Sequence, residues 1–148
     1  MLATRLVKLI ETHSEPLSEG LLNKFLTSER CSDLRKVDAQ ELRERSHEIY
    51  RNLSDWLMGK TEKEIEERYK EVGMRRAVQG VRFSHFVYAI TTTREHLLDF
   101  LQREGFSDST LALYGHLELA HMLDQFFDKA LYYAAVGFEQ AKRSTAAA

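Results

Sequence analysis

One proline, seven glycines and a single cysteine stand in 148 residues. So few breakers leave little to interrupt helices, and an aromatic content of 10% argues against a chain too polar to fold. The lone cysteine, Cys31, excludes an internal disulfide and any zinc site built from cysteines, and it fits a reducing compartment. Charge of one sign is not in excess. With 21 basic and 23 acidic residues and a pI near 6.3, there is no general positive field to attract nucleic acid. No apolar run approaches the roughly 20 residues of a membrane span. The opening MLATRLVKLIETHSE lacks the long apolar core and cleavage site of a signal peptide. A Gly-rich phosphate loop, a CxxCH motif and a GxSxG elbow are also missing. A cytoplasmic protein with neither nucleic acid nor membrane as partner is therefore expected.

What is present is apolar residues at helical spacing, with no segment of credible strand alternation. Leu2, Leu6, Leu9 and Ile10 predict a first helix over 2–12, and a second runs from about Pro16 to Leu26 with Ser14 as N-cap. TSERCSDLRKV (27–37) reads as a polar connection. Asp38 with Glu41 resembles a capping box and opens a third helix, whose face is Leu42, Ile49, Leu53 and Trp56 and whose stop is Gly59. Thr61 with Glu64 opens a fourth over 62–78, with Ile65, Tyr69 and Val72 inward and Gly80 as the residue past its end. The fifth spans about Ser84 to Glu104, closed by Gly105. Ser107 caps the sixth, over 108–143. Unbroken, that last helix is about 54 Å long, so it either bends near Gly115 or Gly137 or projects. The expectation is an all-α bundle of about six helices forming one domain over 1–148, with 144–148 as a frayed tail.

Two Glu-x-x-His pairs, Glu44/His47 and Glu118/His121, match the pattern of di-iron helical bundles. Helical phase speaks against them: Glu44 and His47 fall roughly 140–200° from Leu42, and Glu118 lies well outside the apolar stripe drawn through Leu113, Leu117, Ala120, Phe127, Leu131 and Phe138. By the same count His85 and His96 point away from the stripe of the fifth helix. His116 sits within the apolar sector of the sixth, as a core or boundary histidine before a haem or metal ligand. Phe126-Phe127 and Tyr132-Tyr133 read as core or helix–helix packing. No metal and no cofactor is expected.

One residue breaks the pattern. In VYAITTTREHLLDFL (87–101), Arg94 shares the phase of Val87 and Ile90. On the sixth helix Asp124 lies close to the phase of Leu117 and Ala120, with Asp128 one turn on. A buried charge is costly unless paired. Arg94 and Asp124 are therefore expected to meet across the two helices, with Asp128 as a second acceptor. The alternative is a small-molecule or haem pocket near Arg94, His116 and Asp124.

KEIEERYKEVGMRRAVQGVRFSHFVYAI (63–90) and LDQFFDKALYYAAVGFEQA (123–141) carry a resemblance. Gly73 before Arg75-Arg76, Gln79-Gly80, the Arg94 helix, then Asp124, Phe126-Phe127-Asp128, Ala130-Leu131-Tyr132-Tyr133 and Glu139 resemble the N-terminal domain of RsbRD-type co-antagonists of bacterial stress signalling. The likeness covers roughly the last 85 residues well and the first 60 loosely. It implies a non-catalytic helical sensory or regulatory domain acting by protein contacts, with a homodimer as the expected state. Such domains usually precede an output module, often a STAS domain or a histidine kinase, so the chain is either a stand-alone regulator or a fragment. In the wider group the domain is globin-like without haem.

Overall fold

The structure, a computed structural model, describes residues 2–104 and 109–147. Among these every regular element is a helix, with no strand. The helices are α1 (Thr4–Thr12), α2 (Ser14–Thr27), a 3₁₀ segment (Glu29–Lys36), α3 (Ala39–Arg51), a π-helical turn (Asp55–Gly59), α4 (Glu62–Val78), α5 (Phe83–Glu104) and α6 (Thr110–Ala147). None of them is long and apolar enough to cross a membrane.

Local chemistry sets several boundaries. The Asp38 side chain accepts from the Gln40 N–H at 2.9 Å and starts α3. Thr61 Oγ1 accepts from the Glu64 N–H at 3.2 Å and starts α4. Gly80 ends that helix with φ +81°, a left-handed conformation that glycine adopts without strain. Ser14, expected as an N-cap, is instead the first residue of α2, and its hydroxyl faces His47 at 3.1 Å. The polar 27–37 stretch is not a plain connection. It winds into 3₁₀ turns that bury Cys31, Asp33 and Leu34. The expected roles of Gly105 and Ser107 lie outside the described residues.

α6 is a single helix of 38 residues, about 57 Å long, and it continues through 144–147 where a frayed tail is expected. Its main partner is α4. A Cβ on Gly137 would meet the Lys70 carbonyl oxygen at 2.1 Å, and one on Gly73 would meet that of Ala134 at 1.9 Å. The two helices touch backbone to backbone, each through its own glycine. Beside this crossing Trp56, Tyr69, Phe126 and Phe127 form a buried aromatic cluster, with ring centroids 5.1–5.9 Å apart.

Two buried faces differ from expectation. On α5 the core side is His85, Phe86, Ala89, Thr93, His96, Leu97 and Phe100, so the Val87–Ile90–Arg94 line is a half-buried flank, roughly a quarter turn away. The polar members of the buried side are satisfied locally. Thr93 Oγ1 donates to the Ala89 carbonyl at 2.8 Å, His96 Nε2 to that of Leu17 at 2.9 Å, and His85 Nδ1 accepts from the Asp33 N–H at 3.1 Å. His85 and His96, expected to point away from the packed face, are part of it. On α6 the core side is Gly115, Leu119, Leu123, Phe126, Ala130, Ala134 and Gly137, again about a quarter turn from the expected stripe. Phe127 and Phe138 are buried, but Leu113 and Leu117 are exposed.

Candidate functional site

Arg94 Nη1 lies 3.9 Å from Asp124 Oδ1, joining α5 to α6. The pair sits at the boundary rather than in the core: the Arg94 side chain is 31% exposed and that of Asp124 57%. Arg94 Nε is buried and has no hydrogen-bond partner among the described residues. Asp128 is exposed, and His116 is half-buried. None of these four residues lines an apolar cavity found among the described residues. That cavity is walled by α2, the 3₁₀ segment and helices α3 to α6, with Arg45 and Arg76 among its polar residues.

The two Glu-x-x-His pairs serve separate contacts. Glu44 is exposed and accepts from Gln40 Nε2. His47 is half-buried against Ser14 rather than turned to solvent. Glu118 is half-buried and faces the Ala3 N–H at 3.4 Å, while His121 is exposed. No three His, Cys, Asp or Glu residues among those described could hold a metal ion.

Sequence reasoning missed several ionic clusters, two of them built on Glu41 and Asp33. In the first, Glu41 accepts from Arg75 (Nε 2.9 Å, Nη2 2.5 Å), from Arg76 Nη1 at 2.5 Å and from Gln79 Nε2 at 3.0 Å. The Arg76 side chain is 5% exposed, so this charge is truly buried, and Glu41 is its counter-ion. The Arg75 hydrogen bonds, joined by those from Gln79 and Arg76, hold the Glu41 carboxyl far below the ordinary range, whereas burial pulls Arg76 down. In the second, Asp33 accepts from the Arg82 backbone N–H at 2.9 Å and from its guanidinium at 2.9 and 3.2 Å, and these bonds hold its carboxyl low. The signal for the first cluster was Glu41 itself. Placed as half of a capping box, it turns instead from α3 toward the end of α4.

The feature best suited to a partner is the amino-terminal half of α6. Leu119 and Leu123 are fully buried on one side. Leu113, Tyr114 and Leu117 are 57%, 58% and 58% exposed, and Leu111 67%. At about 100° per residue, Leu117 lies roughly 160° round the helix from Leu119. This half-helix therefore carries two opposed apolar faces, and the fold covers one. An apolar helix side left in solvent marks an interaction surface. The exposed line continues past Asp124 to Tyr132, 65% exposed.

The stretch that carries the family resemblance is structural in this geometry. Gly73 makes the backbone contact with α6, Arg75, Arg76 and Gln79 grip Glu41, and Gly80 ends α4. Ala134 and Gly137 receive α4 from the other side. No curated protein and no solved structure matches the chain, so the globin-like arrangement stays an expectation. A family model described as the RsbT co-antagonist protein rsbRD N-terminal domain matches residues 16–148, and the chain belongs to that family.

Proposed function

We propose that this chain is a non-catalytic regulatory domain of bacterial stress signalling, cytoplasmic and cofactor-free, which acts through protein contacts and pairs with a second copy of itself. The family supports the regulatory role, since its description is that of a co-antagonist rather than an enzyme. The observation that carries the contact surface is the uncovered apolar side of α6, built from Leu111, Leu113, Tyr114 and Leu117. A helix apolar on two sides is stable when both are covered, and the same side of a twin chain is an obvious cover in a two-fold pair. The Arg94–Asp124 pair, which joins α5 to α6, lies along the same exposed line.

Light scattering coupled to size exclusion tests the reading. The unaltered chain runs as a dimer, and the Leu113→Glu/Leu117→Glu variant runs as a monomer with unchanged helical circular dichroism. A monomer for the unaltered chain at high micromolar concentration would remove self-pairing. A variant that remains dimeric would move the interface elsewhere.

A further inference from the structure

A pocket lies where α2, the 3₁₀ segment, α3, α4, α5 and α6 converge; its volume is about 80 Å³ and it is partly open to solvent. A single water needs roughly 10–15 Å³ in the same measure, so the space admits a small organic molecule. Leu34, Leu42, Ala89 and Ala130 are buried parts of its apolar wall, and Ile49 and Val72 are half-buried ones.

One polar wall residue is left without a partner. Tyr69 is 7% exposed, and its hydroxyl makes no hydrogen bond among the described residues. A buried polar group is normally partnered. Trp56 and Phe126 pack on the Tyr69 ring, with centroids 5.6 and 5.7 Å away, and hold it in place. Burial, with the Glu48 charge adding to it, pushes the phenol above its ordinary range. The hydroxyl therefore keeps its proton and stands as a free donor.

The other polar groups decide the charge of a guest. Ser46 Oγ donates to the Leu42 carbonyl at 2.9 Å and Thr93 Oγ1 to that of Ala89 at 2.8 Å. Arg76 is bound by Glu41 and Gln79, and Arg45 faces Glu48 at 3.4 Å and Glu71 at 3.9 Å. An anion would compete with three glutamates for these guanidiniums, and a cation would meet both guanidiniums in a desolvated site. What the wall lacks is one neutral acceptor for Tyr69.

We propose that this pocket binds a small uncharged molecule with an apolar body and one oxygen acceptor, a ketone or alcohol of a few carbon atoms, whose oxygen accepts from the Tyr69 hydroxyl. Leu111, Leu113, Tyr114 and Leu117 do not line it, so the site stands whether or not the chain pairs through α6. Its wall draws on five α-helices and the 3₁₀ segment, so occupancy stabilises their mutual packing.

Titration of the whole chain with butan-2-one, followed by methyl-resolved carbon–proton NMR, tests the site. The expected result is saturable shifts centred on the methyls of Leu34, Leu42, Ile49, Val72, Ala89 and Ala130, which butyrate and butylammonium do not produce. Tyr69→Phe, which removes only the hydroxyl, weakens butan-2-one by roughly three- to tenfold. The same variant does not weaken 2-methylbut-1-ene, which has the shape of the ketone without its oxygen. Ala89→Leu fills the space and abolishes the response. Shifts that do not saturate, equal ketone affinity in the parent and a folded Tyr69→Phe, equally tight binding of either ion, or a response that persists in a folded Ala89→Leu would overturn the proposal. So would nuclear Overhauser contacts from a bound water to Tyr69 with no response to the ketone. Should neither variant fold, the carbonyl stretch of butan-2-one bound to the unaltered chain decides: a frequency below that in hexane supports the hydrogen bond, and a hexane-like frequency overturns it.

Discussion

Gly73 on α4 lies directly against the backbone of Ala134 on α6: a Cβ there would stand 1.9 Å from the Ala134 carbonyl oxygen. In an exposed helix interior, Gly→Ala stabilises by roughly 0.5–1 kcal/mol. Here the sign reverses, because the obstacle is backbone and cannot swing aside. Gly73→Ala is expected to destabilise by about 3 kcal/mol or more. Urea unfolding followed by circular dichroism measures it, and a variant as stable as the parent would show that the helices are further apart.

Glu41 is the counter-ion of a guanidinium that is nearly out of solvent. Glu41→Gln leaves Arg76 without a balancing charge and is expected to cost about 3 kcal/mol. Hydrogen bonds from Arg75, Gln79 and Arg76 hold the Glu41 carboxyl well below its ordinary value. A carboxyl depressed in the fold contributes stability above its unfolded pKa of about 4.3, and loses it as pH falls toward the folded value. Asp33, held down by Arg82, adds in the same direction. The unaltered protein should therefore lose stability steeply below about pH 4. Glu41→Gln starts lower and falls less steeply over that range, which thermal unfolding between neutral and acid pH would show.

His96 gives a separate, milder pH dependence. Its ring is 5% exposed, Nε2 donates to the Leu17 carbonyl, and Nδ1 has no hydrogen-bond partner among the described residues. Burial, reinforced by the nearby Lys24 charge, pushes the imidazole below its ordinary range. A histidine depressed in the fold is bound neutral. Its contribution is complete above the unfolded pKa of about 6.5 and declines as pH falls below it. His96→Gln keeps a donor for Leu17 and removes the titration. Between pH 7 and about pH 5, the stability advantage of the parent over this variant should shrink. An advantage that is constant across that range would mean His96 is not held neutral.

Arg94 tests the boundary pair. Exposed or half-exposed ion pairs contribute about 0–1 kcal/mol, and Asp124 is more than half exposed. Arg94 Nε, meanwhile, is buried without a partner. Arg94→Met keeps the stem and removes that orphan, so it should match or exceed the parent in urea unfolding. A loss above about 2 kcal/mol would assign the pair a weight that its exposure argues against.

Much of the fold was legible from residue spacing. The fourth helix and its Thr61 cap, the Asp38 cap and the glycine stop at Gly80 follow from the first turns and last turns alone. The orientation of α5 and α6 about their axes was not. Val87, Ile90, Leu113 and Leu117 look like core residues by composition, whereas His85, Thr93 and His96 look like surface. Their burial depends on acceptors and donors supplied by the Asp33 N–H, the Ala89 carbonyl and the Leu17 carbonyl. Two of those three groups are distant in the chain, so no local pattern reveals them.

The candidate surface shows the same division. That α6 is apolar over a wide arc is written in its residues; which side the fold covers is not. Helix periodicity, end caps and scarcity of breakers depend on neighbours within a turn or two, and the sequence alone determines them. The side of α6 that meets α4 is set where Gly73 and Gly137 let the two backbones approach closer than any side chain permits. Only the tertiary structure decides such a matter, because contact between backbones is a property of two helices together.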